Sequence, residues 1–488
     1  MTHFFKLAGI LPLLCATLVL HGQNETDALR YSLTEPFGTA RASGMAGAFG
    51  ALGGDFTSLA INPAGIAVYR RSEMALTFGI SGFNTNTDYK NEQNSQSEFQ
   101  FHVPQIGMVG VSESTGNWKY VNYGIGYNKL QNFNQSYVIS GKVNDISMTR
   151  LFADQAFGTN FDELYNSFPY GAGLAWETYL IDPVDTNTNN QFVAAIPYGD
   201  VQQRMDVRQS GHMGETVFTV GGNYNDNLFV GATLGLPVVR FNRTTTYRES
   251  DIDASLPLDN FTWSENLSTS GSGVNIKLGA IYRVNNLLRL HGAWHSPSSI
   301  SLTDTWTTAI NSEFKDGSKY SSSTDGVYQY RLKTPGRVFL GAAFIIGKAG
   351  LVSADYEMIN YSNARLRQSN SFLDDYDFKA ENNTIEALYR NANNVRIGTE
   401  WRVGEVFRVR GGYAFQQNPF AKGATNYTSN IMTYSGGVGY RGDHLFVDLG
   451  YQYRSSSAEQ YLFDPANTSP ANLDMVKGEV IFGVGLRY

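Results

Sequence analysis

Segments of about ten residues in which apolar and polar side chains alternate constrain the fold of this 488-residue chain more than any other feature. In residues 274–283, the face that begins with Val274 and ends with Tyr282 is apolar, whereas the other face carries Lys277 and Arg283. The same pattern recurs in residues 394–403, 407–416 and 445–453. An apolar face that ends in Tyr or Trp, opposite a face of charges and glycines, favours a strand between lipid and a polar lumen.

Fourteen such segments are present, and a single-chain bacterial barrel requires an even number. After a first loop at 84–97, short turns alternate with long loops, and the longest loop spans residues 132–212. Short periplasmic turns and long extracellular loops are typical of outer-membrane barrels. The sequence therefore predicts an all-β fold, a 14-stranded antiparallel transmembrane β-barrel over residues 73–488. The predicted strands are residues 73–83, 98–111, 119–131, 213–223, 227–242, 272–284, 287–302, 327–346, 350–361, 393–403, 406–416, 430–440, 444–454 and 477–488, and the later long loops lie near 243–271, 303–326, 362–392, 417–429 and 455–476.

The N-terminus has the features of an export signal. Lys6 is followed by an apolar run from Leu7 to Leu20, which is shorter than the roughly 20 residues that a membrane helix needs. We predict a secretory signal peptide at residues 1–22. Cys15 is the only cysteine, so we expect none in the mature chain, which excludes disulfides, cysteine-based zinc sites and a cysteine nucleophile.

Charge and motifs argue against two classes of function. The net charge is −7 and no long basic run is present, so we do not expect nucleic acid as a partner. The sequence contains no HExxH, no P-loop, no Cys/His cluster and no nucleophile elbow in an α/β context. We therefore expect a protein that is not an enzyme and that holds no cofactor or metal.

The last strand carries a second signal for export to a membrane. In residues 478–488, Val480, Phe482 and Leu486 share one face with the terminal Tyr488. An alternating strand that closes on a terminal aromatic residue resembles the assembly signal of outer-membrane barrels. The barrel-assembly machinery and outer-membrane lipid are therefore expected partners, and we expect a monomer.

Residues 40–69, "ARASGMAGAFGALGGDFTSLAINPAGIAVY", identify the family that this chain resembles. A run of small residues, an acidic residue and then Asn62-Pro63-Ala64-Gly65 resembles the N-terminal hatch of the FadL/TodX family of outer-membrane transporters for hydrophobic compounds. The family's usual leucine is replaced here by Ile66. Residues 272–300, with a Ser-Pro pair, and residues 332–344, with a Thr-Pro pair, resemble later strands of that family. "LAWETYLID" and "GATLGLPVVRF" resemble its Bacteroidota branch, and the resemblance covers about residues 36–488.

The resemblance implies a mechanism as well as a fold. A hatch at residues 23–72 would plug the barrel near an inward kink of the third strand. Extracellular loops would catch an apolar substrate, which would enter a lumen pocket and leave sideways through the wall. Gly124 and Gly126 face inward in the third strand and are the predicted kink, because glycine in a strand often marks a bend or a close approach. Alternatively, these glycines relieve crowding in the lumen.

The 132–212 loop carries more apolar residues than an exposed loop needs. One interpretation is a landing site for a hydrophobic ligand, and the other is packing of the loop onto the barrel rim. The two interpretations are compatible. The residues concerned are Leu151, Phe152, Phe157, Phe161, Leu164, Tyr165 and Phe168.

Charged residues and histidines lie on the predicted lumen face. We single out Arg396, Arg408 and Arg410 as candidate contacts for a substrate carboxylate. The alternative is a ladder of ion pairs that fills the barrel interior. His291 and His295 are about 13 Å apart along a strand, too far to share one small metal ion, and a haem-ligand role stays open. The other residues on this face are Arg289, Glu400 and Arg402.

The predicted function is passive uptake of hydrophobic molecules, such as long-chain fatty acids or aromatic compounds, through the bacterial outer membrane. A hydrophobic small molecule is the expected ligand. Three alternatives stay open at this point: a barrel component of type IX protein secretion, a general porin, and an outer-membrane enzyme such as a phospholipase.

Overall fold

The computed structural model describes residues 24–488 apart from 36–37, 145, 186–187, 198–199, 253–255, 370–375, 425–426, 464 and 466–467. The predicted signal peptide, residues 1–22, lies outside the described residues, as does residue 23 of the predicted hatch. Among the helices of the described ranges, none is long and apolar enough to cross a membrane.

Within these ranges, fourteen antiparallel strands form a closed barrel, as the alternation predicts. The ring closes where Glu73 on the first strand lies opposite Arg487 on the last. The strands are β1 (Glu73–Tyr89), β2 (Glu92–Glu113), β3 (Trp118–Asn132 and Gln135–Val143), β4 (Val201–Tyr224), β5 (Leu228–Asp251), β6 (Leu258–Arg283), β7 (Leu288–His295 and Ser299–Phe314), β8 (Lys319–Lys333 and Arg337–Ile346), β9 (Gly350–Asn360 and Arg365–Gln368), β10 (Asn391–Val403), β11 (Phe407–Gln416), β12 (Ile431–Arg441), β13 (Leu445–Gln460) and β14 (Ala471–Arg487).

The alternation has the predicted orientation. Ile276 on β6 is 50% exposed on the outer face and Trp401 on β10 is 42% exposed, whereas the inward-facing Lys277 and Glu400 are buried. A continuous apolar band of this kind on an outer surface marks a face that contacts something other than water. Lipid outside and a polar lumen inside account for both faces.

The strands extend further than predicted at one end of the barrel. The expected first loop, 84–97, is instead the extended tip of the β1–β2 hairpin, which turns at Lys90 and Asn91. The expected loops at 243–271 and 303–326 are likewise mostly strand. Above the apolar band the outer face is polar as well, so the alternation that reveals a strand is lost there.

The two ends of the barrel differ in their connections. Connections of three or four residues join strands at one end, which also carries Glu73 and Arg487, and we call it the short-turn end. The opposite, long-loop end carries helices α4 (Met148–Ala156), α5 (Leu164–Ser167), α6 (Ala172–Glu177) and α7 (Lys379–Leu388) and a small hairpin (Ile181–Asp185 with Thr188–Ala194). Three short helices, α1 (Glu25–Arg30), α2 (Ala40–Ser43) and α3 (Ser58–Ile61), precede β1 in the chain.

Two strands are interrupted at the predicted proline motifs. β7 breaks at 296–298, which contains Pro297, and β8 breaks at 334–336, which contains Pro335. Proline has no N–H to donate to a neighbouring strand, so it occurs where a ladder pauses. The predicted strand 327–346 is therefore two segments rather than one.

Candidate functional site

Residues 38–69, here called the inner segment, lie inside the barrel towards the short-turn end. They form α2 (Ala40–Ser43), α3 (Ser58–Ile61) and a 3-10 helix (Pro63–Val68). Met45, Phe49 and Phe56 are almost fully buried within two small clusters formed by this segment and inward-facing residues of the wall. The 3-10 helix packs against β3, β4, β5 and β6.

Glycines on the lumen face of the wall make room for this segment. A Cβ on Gly231 of β5 would lie 2.3 Å from the carbonyl oxygen of Pro63, and one on Gly412 of β11 would lie 2.3 Å from the carbonyl carbon of Met45. Any side chain at these positions would displace the backbone of the inner segment. We call the whole set the glycine collar: Gly107, Gly124, Gly126, Gly221, Gly231, Gly279, Gly398, Gly412 and Gly450.

Asn62 attaches the Asn-Pro-Ala-Gly turn to the wall. Its Nδ2 donates to the carbonyl oxygens of Gly50, at 2.9 Å, and of Ala280 on β6, at 3.2 Å. Its Oδ1 accepts from the backbone N–H of Ala64 at 3.1 Å, which caps the 3-10 helix. Gly65 is also required, because a Cβ there would lie 2.2 Å from Ser58 Oγ.

Ion pairs fix the other half of the inner segment. Arg41 donates through Nε to Glu400 at 2.8 Å, and Arg410 binds both Glu400 at 2.6 Å and Asp448 at 2.8 Å. Although burial opposes the charged form of Arg41, the Glu400 carboxylate holds the pKa of Arg41 above its ordinary value. Arg41 is therefore a charged contact between the inner segment and β10.

The two histidines predicted on the lumen face, His291 and His295, also hold the inner segment. His291 Nε2 lies 2.8 Å from Asp355 Oδ1, and its Nδ1 lies 3.4 Å from Asn62 Nδ2. His295 Nε2 bonds to the carbonyl oxygen of Ile61 at 2.9 Å. No group of three or more His, Cys, Asp or Glu side chains is arranged to hold a metal ion within the described ranges.

Two cavities flank residues 33–35, above the inner segment, and both are lined by Thr34 and Glu35. The first, here the central cavity, measures about 100 Å³, and the second, here the wall cavity, about 240 Å³. The central cavity is lined among others by Ile61, Glu215, Lys277, His295, Arg337, Phe339, Glu357 and Arg396. The wall cavity is lined among others by Leu33, Phe83, Thr85, Gln131, Asn132, Asn134, Tyr361, Arg454, Met475 and Lys477.

Ion pairs hold residues 32–35 between these cavities. Arg337 on β8 donates to Thr34 Oγ1 at 2.7 Å and pairs with Glu357 at 2.8 Å. Glu35 pairs with Lys477 on β14 at 2.7 Å and with Arg454 on β13 at 3.2 Å. Sequence reasoning missed these residues, although the alternation of β14 places Lys477 on the same inward face as Glu479.

The barrel wall is discontinuous between β2 and β3. β2 pairs with β3 only over Gln105–Glu113, so residues 92–104 have β1 as their sole strand partner. β3 is interrupted after Asn132, and its second segment pairs with β4 and passes on the inner side of β1, where Thr87 Oγ1 donates to the carbonyl of Val138. Pro104 lies where the β2–β3 pairing ends and has no N–H to donate.

Within the described ranges, the hydrogen bonds that bridge this discontinuity at the level of the interruption are made by side chains. Asn132 and Asn134 both donate through Nδ2 to Gln100 Oε1 on β2, at 3.0 and 2.6 Å. The same two asparagines line the wall cavity. The wall cavity therefore borders the interruption of β3 on the lumen side.

The sequence matches no family model and no curated protein. Similar solved structures cover nearly the whole chain. A Pseudomonas aeruginosa FadL homologue has a TM-score of 0.53 at 13% identity and covers 94% of this chain and 99% of its own. The P. putida toluene transporter TodX has a TM-score of 0.52 at 11% identity, with 94% and 99% covered. The Ralstonia pickettii toluene transporter TbuX has a TM-score of 0.50 at 15% identity, with 94% and 100% covered.

The chain has the FadL-type fold. At identities of 11–15% the likeness is one of fold, and it confirms the predicted barrel class.

In this FadL-type barrel the interruption of the third strand is not at the two glycines predicted from the sequence. Gly124 and Gly126 lie where β3 pairs regularly with β2, and the break comes at Phe133 and Asn134. Both glycines belong to the glycine collar: a Cβ on Gly126 would lie 2.3 Å from the Phe56 ring. The inner segment packs closely against both glycines, so their surroundings match the alternative that the sequence left open, relief of crowding in the lumen.

The three predicted arginines lie in three different environments of the FadL-type lumen. Arg396 lines the central cavity, where it pairs with Glu357. Arg410 is fully enclosed by Glu400 and Asp448 beneath the inner segment, so its charge is already satisfied. Arg408 donates to the backbone carbonyls of Glu405 and Phe407 near the short-turn end. Of the three, Arg396 is the one that lines the central cavity or the wall cavity in the described structure.

The apolar residues predicted in the long loop divide into two groups. Phe152 and Leu164 are buried in a cluster with the upper barrel strands, and Leu151, Phe161 and Phe168 are partly buried. Phe157 is 69% exposed and Tyr165 is 40% exposed. Packing onto the rim therefore accounts for the first group, and Phe157 and Tyr165 remain accessible from outside.

Proposed function

We propose that this chain is a passive outer-membrane channel that takes up small hydrophobic molecules and releases them sideways through the β2–β3 discontinuity. The observation that carries the proposal is the wall cavity, which borders that discontinuity through Asn132 and Asn134. The fold supports the same class of function, because two of the structurally similar proteins are toluene transporters. We assign the bacterial outer membrane as the location on the same grounds.

The inner segment acts as the hatch predicted at residues 23–72. Its clusters and the glycine collar leave little room for a straight path to the short-turn end. A molecule that enters at the long-loop end therefore reaches the cavities beside residues 33–35 and goes no further along the axis. This argues against a general porin, which needs an open aqueous path.

The wall cavity suits a ligand with a large apolar part. Phe83, Tyr361 and Met475 line it together with several amides. Removing apolar surface from water contributes about 25 cal/mol per Å², so a small aromatic or alkyl group gains by entering. Phe157 and Tyr165 offer a first contact at the long-loop end.

Release of a ligand through this part of the wall requires side-chain contacts to break, but no backbone ladder. Between residues 92–104 of β2 and the interruption of β3, Gln100 and its two asparagine partners form the bridge. A side-chain hydrogen bond contributes about 1 kcal/mol net, whereas opening a regular ladder would break many backbone bonds together. The path of least resistance for an apolar molecule is therefore through this part of the wall.

A covalent bridge across the wall tests the exit. Gln100→Cys with Asn134→Cys, joined by a short bis-maleimide, would hold β2 against β3. The matched control is Ser112→Cys with Val121→Cys, which joins two residues already paired in the ladder. We expect the first bridge to slow uptake of radiolabelled toluene into cells at least about tenfold, which corresponds to roughly 1.4 kcal/mol in the barrier, and the control to leave uptake unchanged.

Two further measurements separate this proposal from its alternatives. Mass spectrometry of the detergent-extracted protein should recover a hydrophobic molecule, and single-channel recording should show no stable ion conductance. Large ion conductance with no effect of the bridge would instead favour a porin. Co-purification of a secreted protein, with no effect of the bridge on toluene uptake, would favour a secretion barrel.

A further inference from the structure

Four cations form a compact patch on the outer wall of the barrel, at the long-loop side of β8 and β9. The register places Arg331 directly opposite Arg367, and Lys333 directly opposite Arg365. The intervening residue Leu332 faces inward and is fully buried, so the flanking cations face away from the lumen.

Such an arrangement is unfavourable by itself. Like charges directly opposite each other in an antiparallel pair destabilise the sheet, and here two such pairs are adjacent. On the neighbouring strand β7, the residues in register with Lys333 and Arg331 are the uncharged Ser299 and Ser301. The concentration of charge is therefore local to β8 and β9.

The protein neutralises only part of this charge. Glu386 on α7 lies 3.3 Å from Arg365. Asp377 lines a shallow recess together with Arg365 and Arg367. The other three cations form no ion pair with any residue in the ranges that the structure describes. They are Arg331, Lys333 and Arg367. Among the described residues, four positive charges thus face two negative ones.

The height of the patch on the wall indicates what supplies the missing charge. Below the strand breaks, the outer faces of β8 and β9 are apolar, with Leu340, Tyr356 and Met358 exposed. Just above the breaks the next outward residues are the four cations. The patch therefore lies at the boundary between the apolar band and the polar outer surface, which is the level of lipid headgroups.

We infer that Arg331, Lys333, Arg365 and Arg367 bind the phosphate of an outer-leaflet lipid headgroup, an inference that rests on the outer-membrane location proposed above. Guanidinium groups recognise phosphate oxygens through paired hydrogen bonds, and two opposed arginines present several donors to one anion. The patch lies about six strands from the β2–β3 discontinuity in a ring of fourteen. A lipid held there leaves the proposed exit uncovered.

The test uses the full-length purified protein and lipid A, a phosphorylated glycolipid, as the probe. The variant Arg331→Gln with Arg367→Gln removes one opposed pair, and Lys348→Gln with Arg402→Gln removes two exposed cations near the short-turn end as the control. Native mass spectrometry should show at least about tenfold weaker lipid A binding for the first variant only, given about 1 kcal/mol per cation near a charged surface. Lipid A should also raise the Tm of the parent and control proteins but not of the patch variant.

Three outcomes would overturn the inference. Equal lipid A binding by all three proteins would do so, and so would equal loss in the patch and control variants. Displacement of lipid A by millimolar inorganic phosphate would show a general anion site rather than a lipid site. Toluene uptake, measured on the same proteins, reports on the proposed transport function separately, because neither pair of substitutions touches the cavities or the β2–β3 wall.

Discussion

The two halves of the barrel lumen are built in opposite ways. Towards the short-turn end, the wall presents glycines, and the inner segment packs against their backbone with almost no space left. Towards the long-loop end, the wall presents long charged side chains, and ion pairs such as Glu35–Lys477 and Arg337–Glu357 hold residues 32–35 between two cavities.

The difference explains why the two halves of the lumen differ in free volume. Backbone-to-backbone packing leaves little volume, whereas charged side chains that meet at their tips leave space between their stems. Among the described residues, the central cavity and the wall cavity both lie in the half where the wall pairing is also incomplete.

The largest effect is expected from filling the glycine collar. Gly412→Val would place a side chain against Met45 and Ala46, whereas the neighbouring Gly411 faces outward, where a Cβ meets only Thr399 at 3.9 Å. We expect Gly412→Val to lower the free energy of unfolding by about 3 kcal/mol or to displace the inner segment, because overpacking forces the backbone to move. Thermal unfolding in detergent would measure the loss of stability, and ion conductance would report displacement of the inner segment.

Gly411→Val is the matched control, since it adds the same side chain one residue away. Equal effects of the two substitutions would contradict the close packing described for the inner segment.

A smaller effect is expected at the Asn-Pro-Ala-Gly turn. Asn62→Ala removes the donor to Gly50 and Ala280 and the cap of the 3-10 helix. We expect a loss of about 2 kcal/mol, because buried carbonyl groups lose a partner, together with easier removal of the inner segment by denaturant. Asn363→Ala, at an exposed asparagine of the long-loop end, should cost less than about 0.5 kcal/mol in the same assay.

The sequence predicted the barrel wall well because membrane strands must be apolar on one face. Residues 274–283 and 394–403 showed that pattern and are strands. The upper parts of the strands were missed because both faces are polar there, as in residues 84–97. A pattern of period two is visible only where the two faces meet different solvents.

The site was less predictable because it depends on partners brought together from distant strands. Arg396 and Arg410 share the inward alternation, and only the fold shows that Glu400 and Asp448 enclose Arg410 while Arg396 borders a cavity. The interruption at Phe133 and Asn134 has no glycine or proline of its own. The one residue in the sequence that could have indicated this interruption is Pro104 on the neighbouring strand β2, where the β2–β3 pairing ends.

The smallest change in stability, and the sharpest test of the long-loop half, is expected at Glu35. Glu35→Gln removes the carboxylate between Lys477 and Arg454, but Lys477 keeps Glu479 at 3.3 Å, so we expect a loss of at most about 1 kcal/mol. The wall cavity, in contrast, becomes more positive. If this cavity holds the ligand, a medium-chain carboxylate should gain about tenfold in affinity over the matching alcohol, or 1.4 kcal/mol, by isothermal titration calorimetry.

The exposed Glu459→Gln on β13 provides the control, because it makes the same change of charge away from both cavities. A gain shared by Glu35→Gln and Glu459→Gln would reflect the overall charge of the protein. No gain in either variant would mean that charged ligands do not reach the wall cavity, and the contrast between the two halves would then concern packing alone. A gain in Glu35→Gln only would connect the ion pairs of the long-loop half to the choice of ligand.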